Sequence, residues 1–315
     1  MGHNAGSTPA SDVSSRCGHC RPRQCEEAYV RVGVYVFATD LDLDPGPLAF
    51  EIEARGFDSL FFPEHSHIPV ARATAYPKQY GGGELPDFYK RTYDPFISCS
   101  FAAAATTTLE VGTGVTLLAL RDTMHTAKMA ASIDRLSGGR FAFGVGFGWN
   151  EDEFATHSAD FTRRHRKVRE QVAAIRTIWT DDVVEFHGDF VDIAPSWCWP
   201  KPAQSAPKVY LGGSGPLTMK HAAEWADVWY PTPPMTDPYL DEAAPAFRAL
   251  VESNGRDPST VGIGIAPAAC DAHGLERYAE NGVDLVNIAL VADSPAAMLS
   301  QLDDLHSMRV SVLGR

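Results

Sequence analysis

Three short stretches of this 315-residue chain carry the residues best suited to chemistry. The first is "PEHSH", with Glu64, His65 and His67 at the end of an apolar run. In an extended chain His65 and His67 share a face. A histidine titrates near neutrality, so this group suits proton handling or contact with a cofactor. A rim histidine bonded to a loop carbonyl is the plain alternative. A metal site is not expected: barrel metal sites draw ligands from several strand ends, and no second His-rich or Asp-rich strand end follows. His125 and His187 fall in a helix and a hairpin. The second stretch, "FAFGVGFGWNEDEF", sets Gly144, Gly146 and Gly148 two residues apart and follows them with Trp149 and Asn150. The third, "LGGSGPLTMK", places Gly212, Gly213 and Ser214 between a strand and a helix opened by Pro216. Backbone N–H groups and a hydroxyl in such a turn can hold a phosphate at the helix N-terminus; an ordinary tight turn uses the same residues.

The second stretch is not a dinucleotide fingerprint. Its G-x-G-x-G spacing is one residue short of G-x-G-x-x-G. Glu151, Asp152 and Glu153 follow where a pyrophosphate needs a positive helix end, and no strand with a ribose-binding acid comes about twenty residues later. Side chains alternate across a strand, so Phe141, Phe143, Val145 and Phe147 form one face and Ala142, Gly144, Gly146 and Gly148 the other. Residues 109–118 repeat the pattern, with Leu109, Val111, Thr113, Val115 and Leu117 opposite Glu110, Gly112, Gly114 and Thr116. A packed barrel interior needs branched side chains. Two neighbouring strands stripped on one face predict a slot in which a flat ring can lie; glycine bulges or bends are the alternative.

Regular elements must carry these residues. Apolar runs predict strands at 31–37, 57–65, 109–118, 140–147, 208–213, 227–231, 261–267 and 283–291, with amphipathic helices between them. Residues 183–193 read as an inserted hairpin. Residues 66–93, rich in Pro, Gly and Tyr, form a segment long enough to act as a lid, with Tyr76, Tyr80, Phe88 and Tyr89. Eight βα units in unbroken order predict an α/β fold with a parallel sheet, a (β/α)8 TIM barrel with an insertion, as one domain over 30–315. A doubly wound sheet has fewer strands and ranks second. Barrel chemistry sits at the C-terminal strand ends, where all three stretches fall. Gly138, Gly139 and Arg140 fall at the opposite end, where stability is the expected role. Trp197 and Trp199 either line the opening or anchor the hairpin.

The formal net charge of −13 argues against nucleic acid as a partner. No apolar run reaches the ~18–20 residues of a membrane span. Residues 1–29 lack the apolar segment of a secretory signal and read as a disordered extension. They contain Cys17, Cys20 and Cys25, but "CGHC" has no preceding strand and no second ligand pair. Cys99, Cys198 and Cys270 build no disulfide framework, which fits a reducing cytoplasm.

The pieces "GFDSLFFPEH", "LEVGTGV", "AKMAASIDRLSGGRFAFGVGFGWNEDEF", "FHGDFV", "PKPAQSAPKVYLGGSG" and "AAEWADVW" run in order from about residue 31 to 306. Together they resemble the bacterial luciferase-like monooxygenase superfamily, and within it the actinobacterial branch associated with coenzyme F420, a deazaflavin. The resemblance implies a barrel with a deazaflavin or flavin pocket at its top and His65 near the ring. It implies a bulge in the third strand, around Gly112, Thr113, Gly114 and Val115, with a non-proline cis peptide at Gly114–Val115 behind the ring. Gly144, Gly146, Gly148 and Trp149 would line the cofactor, and Gly212, Gly213 and Ser214 would bind its phosphate. Two features depart from relatives that oxidise sugar phosphates: Trp149 stands where they carry a carboxylate, and "DTMHT" replaces the usual Asn-Pro before the third helix. Sugar-phosphate chemistry is therefore not expected. Glu64, His65 or a lid tyrosine is the expected proton donor. The expected function is an F420-dependent oxidoreductase moving a hydride between the deazaflavin and a small organic substrate. The alternatives are a monooxygenase using FMNH2 and oxygen, and a non-catalytic flavin-binding barrel. Related barrels commonly pair, so a homodimer is the expected assembly if one forms.

Overall fold

A computed structural model describes residues 30–232, 239–268 and 270–314; the expectations for Cys17, Cys20, Cys25 and the 1–29 extension lie outside them. The strands are β1 (Arg31–Tyr35), β2 (Ser59–Phe62), β3 (Glu110–Thr113), β4 (Thr116–Leu117), β5 (Phe141–Gly146), β6 (Val184–His187), β7 (Asp192–Ser196), β8 (Val209–Gly212), β9 (Val228–Tyr230), β10 (Gly262–Ala268) and β11 (Leu285–Ala289). The helices are α1 (Pro45–Ala54), α2 (Pro95–Ala105), α3 (Thr123–Ser137), α4 (Glu151–Thr156), α5 (Arg164–Thr180), α6 (Pro216–Trp225), α7 (Tyr239–Ser253), α8 (Ala272–Glu280) and α9 (Pro295–Leu313).

Parallel pairing runs β3-β2-β1-β11-β10-β9-β8-β5, and β5 returns to pair with both β3 and β4. That closes the sheet. Because β3 and β4 occupy one strand position, this is a closed parallel barrel of eight strand positions with helices between them. The hairpin β6–β7 stands outside as the insertion. Helix starts follow from local chemistry. Asp94 accepts from the amides of Phe96 and Ile97 ahead of α2, with Pro95 in its first turn, and Asp122 accepts from His125 ahead of α3.

Two elements differ from expectation. The predicted strand 109–118 breaks between β3 and β4 at Gly114 and Val115, whose peptide is cis, as the resemblance implies. The Thr113 hydroxyl donates to the Gly144 carbonyl at 2.6 Å and the Gly114 amide donates to the Phe62 carbonyl at 2.6 Å, so the bulge is pinned to both neighbouring strands. Helix α4 was not anticipated. Its opening residues Glu151, Asp152 and Glu153 suit the positive end of a helix.

One apolar layer fills the space between strands and helices, with Val32, Val34, Leu48, Ile52, Phe143 and Trp179 among its members. A second fills the barrel interior and is aromatic: Phe61, Tyr210 and Tyr230 pack at ring separations of 5.5–5.6 Å. A Cβ at Gly112 would meet the Phe61 ring at 2.7 Å, so the lower part of the stripped face on β3 makes room for an aromatic side chain of this chain. At the N-terminal end Arg140 donates to the carbonyls of Ala103, Thr106 and Leu109 and to the Thr106 hydroxyl at 2.7–3.0 Å. This matches its expected stabilising place. Among the described residues no helix is long and apolar enough to cross a membrane.

Candidate functional site

The C-terminal strand ends surround a cleft of about 1430 Å³. All three stretches reach it: Glu64 and His65 after β2, Gly146, Gly148 and Trp149 at the end of β5, and Gly212, Gly213 and Ser214 after β8. Gly114 and Val115 of the bulge line it as well, as do Tyr76, Tyr80, Phe88 and Tyr89 of the 66–93 segment. Gly112, Thr113 and Gly144 do not line it. Trp197 and Trp199 lie outside it and are exposed, so they do not frame the opening.

The glycine slot has an occupant. A Cβ on Gly144 would run into the Thr113 carbonyl, one on Gly146 into the Val115 side chain, and one on Gly212 would meet Val115 Cγ1 at 2.7 Å. The stripped faces of β5 and β8 therefore accommodate the bulged backbone and Val115. The cleft floor is Gly114 and Val115 with glycines on either side, rather than bare sheet.

His65 is held from behind. Its Nδ1 lies 2.8 Å from Glu153 Oε2, and the Glu153 side chain is fully buried. The other carboxylate oxygen accepts from the Ser66 amide at 2.9 Å and the Ser66 hydroxyl at 3.1 Å. Burial would raise the Glu153 carboxyl, but the bonds from His65 and Ser66 hold it below its usual range. As an ionised acceptor it places the imidazole proton on Nδ1, which leaves Nε2 to meet a bound molecule. Glu153 was read in the sequence only as part of an acidic cluster. Its pairing spans 88 residues and has no local signal in the sequence.

Glu64 has a different task from the one expected. Its oxygens accept from Arg121 Nε at 2.6 Å and from the Leu117 amide at 2.7 Å, and Arg121 also pairs with Asp94 at 2.5 Å. Burial holds the Glu64 carboxyl above its usual range, although Arg121 and the Leu117 amide draw it down. With both oxygens committed, Glu64 anchors β4 just beyond the bulge and is not a free proton donor.

Trp149 meets His65, Tyr76 and Tyr89 edge-on at 5.7, 5.9 and 6.3 Å. Phe37 packs on Phe88 and Tyr89 at 4.6 Å each. The Tyr76 hydroxyl donates to the Tyr80 carbonyl at 2.7 Å and lies 3.2 Å from the Tyr89 hydroxyl. Burial pushes the Tyr89 phenol far above its usual range, so it stays neutral. The 66–93 segment is tied down by the Thr74 amide, which donates to Asp152 at 2.9 Å. One side of the cleft is thus an aromatic wall.

At the other side Gly213 has φ +126°, which favours glycine. Its amide donates to the Tyr230 carbonyl at 3.2 Å and its carbonyl accepts from Trp229 Nε1 at 3.0 Å. The Ser214 hydroxyl donates to the Thr232 carbonyl, and Tyr239 donates to the Ser214 carbonyl at 2.7 Å. No side chain caps the N-terminus of α6, and Pro216 at its start has no N–H, so the next amides of its first turn have no side-chain acceptor. Arg164 and His165 at the start of α5 also line the cleft; nothing in the sequence singled them out. His165 packs on Phe147 at 4.0 Å, and burial, with Arg164 and His221 nearby, pushes its imidazole down to about 4. Among the described residues no group of three or more His, Cys, Asp or Glu side chains is arranged to hold a metal.

A sequence model of the family described as "Luciferase-like monooxygenase" matches residues 47–301. An uncharacterized protein of Mycobacterium tuberculosis is 37% identical over 277 residues, covering 86% of this chain and 96% of that one. An F420-dependent glucose-6-phosphate dehydrogenase of Amycolatopsis mediterranei is 28% identical over 210 residues, 65% of this chain and 58% of that one. Among solved structures, an F420-dependent secondary alcohol dehydrogenase in complex with an F420–acetone adduct superposes with a TM-score of 0.70 at 18% identity, over 90% of this chain and 99% of that one.

Proposed function

The chain belongs to the luciferase-like monooxygenase family, and we propose that within it the protein is an F420-dependent oxidoreductase that moves a hydride to or from a small neutral organic substrate. The observation that carries this reading is His65, backed by buried Glu153, beside a floor made by Val115 and flanked by Gly146 and Gly212. A glycine-flanked floor accepts a flat ring. The α6 N-terminus with Ser214 suits a phosphate on the same molecule. The F420-dependent relative at 28% identity supports the cofactor assignment. We take residues 30–315 as one barrel domain acting in the cytoplasm.

When bound, a deazaflavin supplies a ring carbon that accepts or releases hydride and lacks the nitrogen with which flavins activate oxygen. The chain's residues do the rest. Gly114 and Val115 would support the ring, with Gly146 and Gly212 making room for the Val115 side chain beneath it and Gly148 for Phe154. Gly213 and Ser214 would shape the turn at the phosphate end, where the first amides of α6 beyond Pro216 would meet it. His65 Nε2 takes or returns the substrate proton, with its tautomer set by Glu153. Trp149, Tyr76 and Tyr89 keep water from the reacting atoms. Trp149 offers an aromatic edge and no charge, so a sugar phosphate is not the expected substrate. A side-by-side fluorescence titration with F420 and FMN tests the assignment. Quenching by F420 at low concentration supports it; tight FMN binding with no response to F420 overturns it.

A further inference from the structure

A base that takes a proton inside a closed cleft must pass it to solvent before the next turnover. His65 and Glu153 are shut in, with side chains 5% and 0% exposed. The hydrogen bonds do not stop there. From His65 Nδ1 the chain runs 2.8 Å to Glu153 Oε2, then from Glu153 Oε1 3.1 Å to Ser66 Oγ, then 2.7 Å to His157 Nε2. A branch leads from Ser66 Oγ 2.9 Å to His67 Nδ1. Ser66 and His157 are exposed. The sequence explains the alignment: Glu153 and His157 are four residues apart on one turn, so both reach the same point.

We propose that Glu153, Ser66 and His157 form a proton relay between the cleft histidine and solvent, which rests on the reading that His65 handles the reaction's proton. In the outward direction His65, protonated at Nε2 by substrate, gives its Nδ1 proton to Glu153. The Ser66 hydroxyl, which donates to Glu153 at rest, turns toward His157, and the Glu153 carboxyl turns and passes its proton to Ser66 Oγ; Ser66 releases its own proton to an unprotonated His157 Nε2, and His157 gives a proton to water. One proton enters at His65 Nε2 and one leaves from His157; His65 is then protonated on Nε2 and bare on Nδ1, and the reverse passage, Nε2 to substrate and Glu153 to Nδ1, restores it. Only N–H and O–H bonds change, and nothing is oxidised or reduced. The inward direction is the reverse. Other charged groups near the path are engaged: Asp152 accepts from Thr74, and Glu64 is paired with Arg121. His67 is the remaining neighbour of Ser66, and the Tyr89 and Trp149 rings close the opposite side of His65.

The test uses the full chain without cofactor. Nitrogen-15 histidine NMR measures exchange of the His65 ring N–H with water in wild type, Ser66→Ala and the double variant His67→Asn/His157→Asn. The double variant changes partly or fully exposed positions and keeps the fold if Ser66→Ala does not. Exchange is expected to slow by roughly 10²-fold in both, the low end for a positioned proton-transfer group, with the His65 Nδ1 shift unchanged. Exchange that stays the same or speeds up overturns the relay. The outcome does not depend on F420 binding: a failed F420 titration would overturn the cofactor reading alone, and unchanged exchange would overturn the relay alone.

Discussion

At the N-terminal end of the barrel Arg140 donates to the carbonyls of Ala103, Thr106, Leu109 and Ser137 and to a hydroxyl, Asp134 accepts from the amides of Ala203 and Gln204 and from the Gln204 side chain, and Arg31 pairs with Glu110. At the C-terminal end both side-chain polar atoms of buried Asn150 and the Nδ1 of His165 have no partner among the described residues. Polar groups at the first end bond one another and hold the barrel closed. At the second end His165 lines the cleft with its Nδ1 unspent, which is the condition for meeting a ligand. Glu64 marks the boundary: it lines the cleft, yet its charge serves the first kind of task.

The sharpest way to break this contrast is to exchange effects between the ends. Substituting His65→Ala or Glu153→Gln is expected to lower turnover by roughly 10²–10⁴-fold in a steady-state assay with reduced or oxidised F420. A fall in melting temperature large enough to explain the loss would contradict the contrast. Arg140→Ala should do the reverse. Four carbonyls lose a side-chain donor, so stability should drop by about 2–3 kcal/mol in urea denaturation, while F420 affinity of the folded protein stays unchanged.

A smaller effect sharpens the account of the floor. Gly212→Val pushes against Val115 and is expected to weaken F420 binding by roughly tenfold or more, about 1.4 kcal/mol, measured by fluorescence titration with the circular dichroism spectrum unchanged. Equal affinity would show that Val115 and Gly212 do not support the ring.

The smallest effect concerns acid. Glu53 accepts from the amides of Thr107, Thr108 and Leu109 and from the Thr108 hydroxyl. Burial would raise its carboxyl, but these bonds bring it down to about 2 from 4.5. A carboxyl lowered in the folded state stabilises the fold fully above the unfolded value. That contribution is lost as pH falls from about 4.5 toward 2. Glu53→Gln should flatten this part of the stability–pH curve, modestly because the group is partly exposed. An identical curve for the variant would remove Glu53 from the set that holds the N-terminal end.

The barrel was legible in the sequence because eight apolar runs alternate with amphipathic segments, and each run had only to be buried. The bare faces of residues 109–118 and 140–147 were legible too, since glycine spacing is a local fact. Their occupant was not. Val115 fills that space only because the strand bulges against β5 and β8, which depends on neighbours far along the chain. The same holds for pairings: Glu64 with Arg121 spans 57 residues and His65 with Glu153 spans 88. No local pattern links them, so Glu64 was kept as one of three candidate proton donors and Glu153 was passed over. Histidine beside an acid after the second strand was a visible signal; which acid serves it was a matter of tertiary packing.

The central claim is that the C-terminal end receives a deazaflavin on the Val115 floor with His65 facing the reacting carbon. A crystal structure of the complex with F420 tests it most directly. The account predicts the ring over Gly114 and Val115, the phosphate at Gly213 and Ser214, and His65 Nε2 turned to the ring with Nδ1 still on Glu153. A ring bound away from Val115, or a His65 turned from the cofactor, would contradict it.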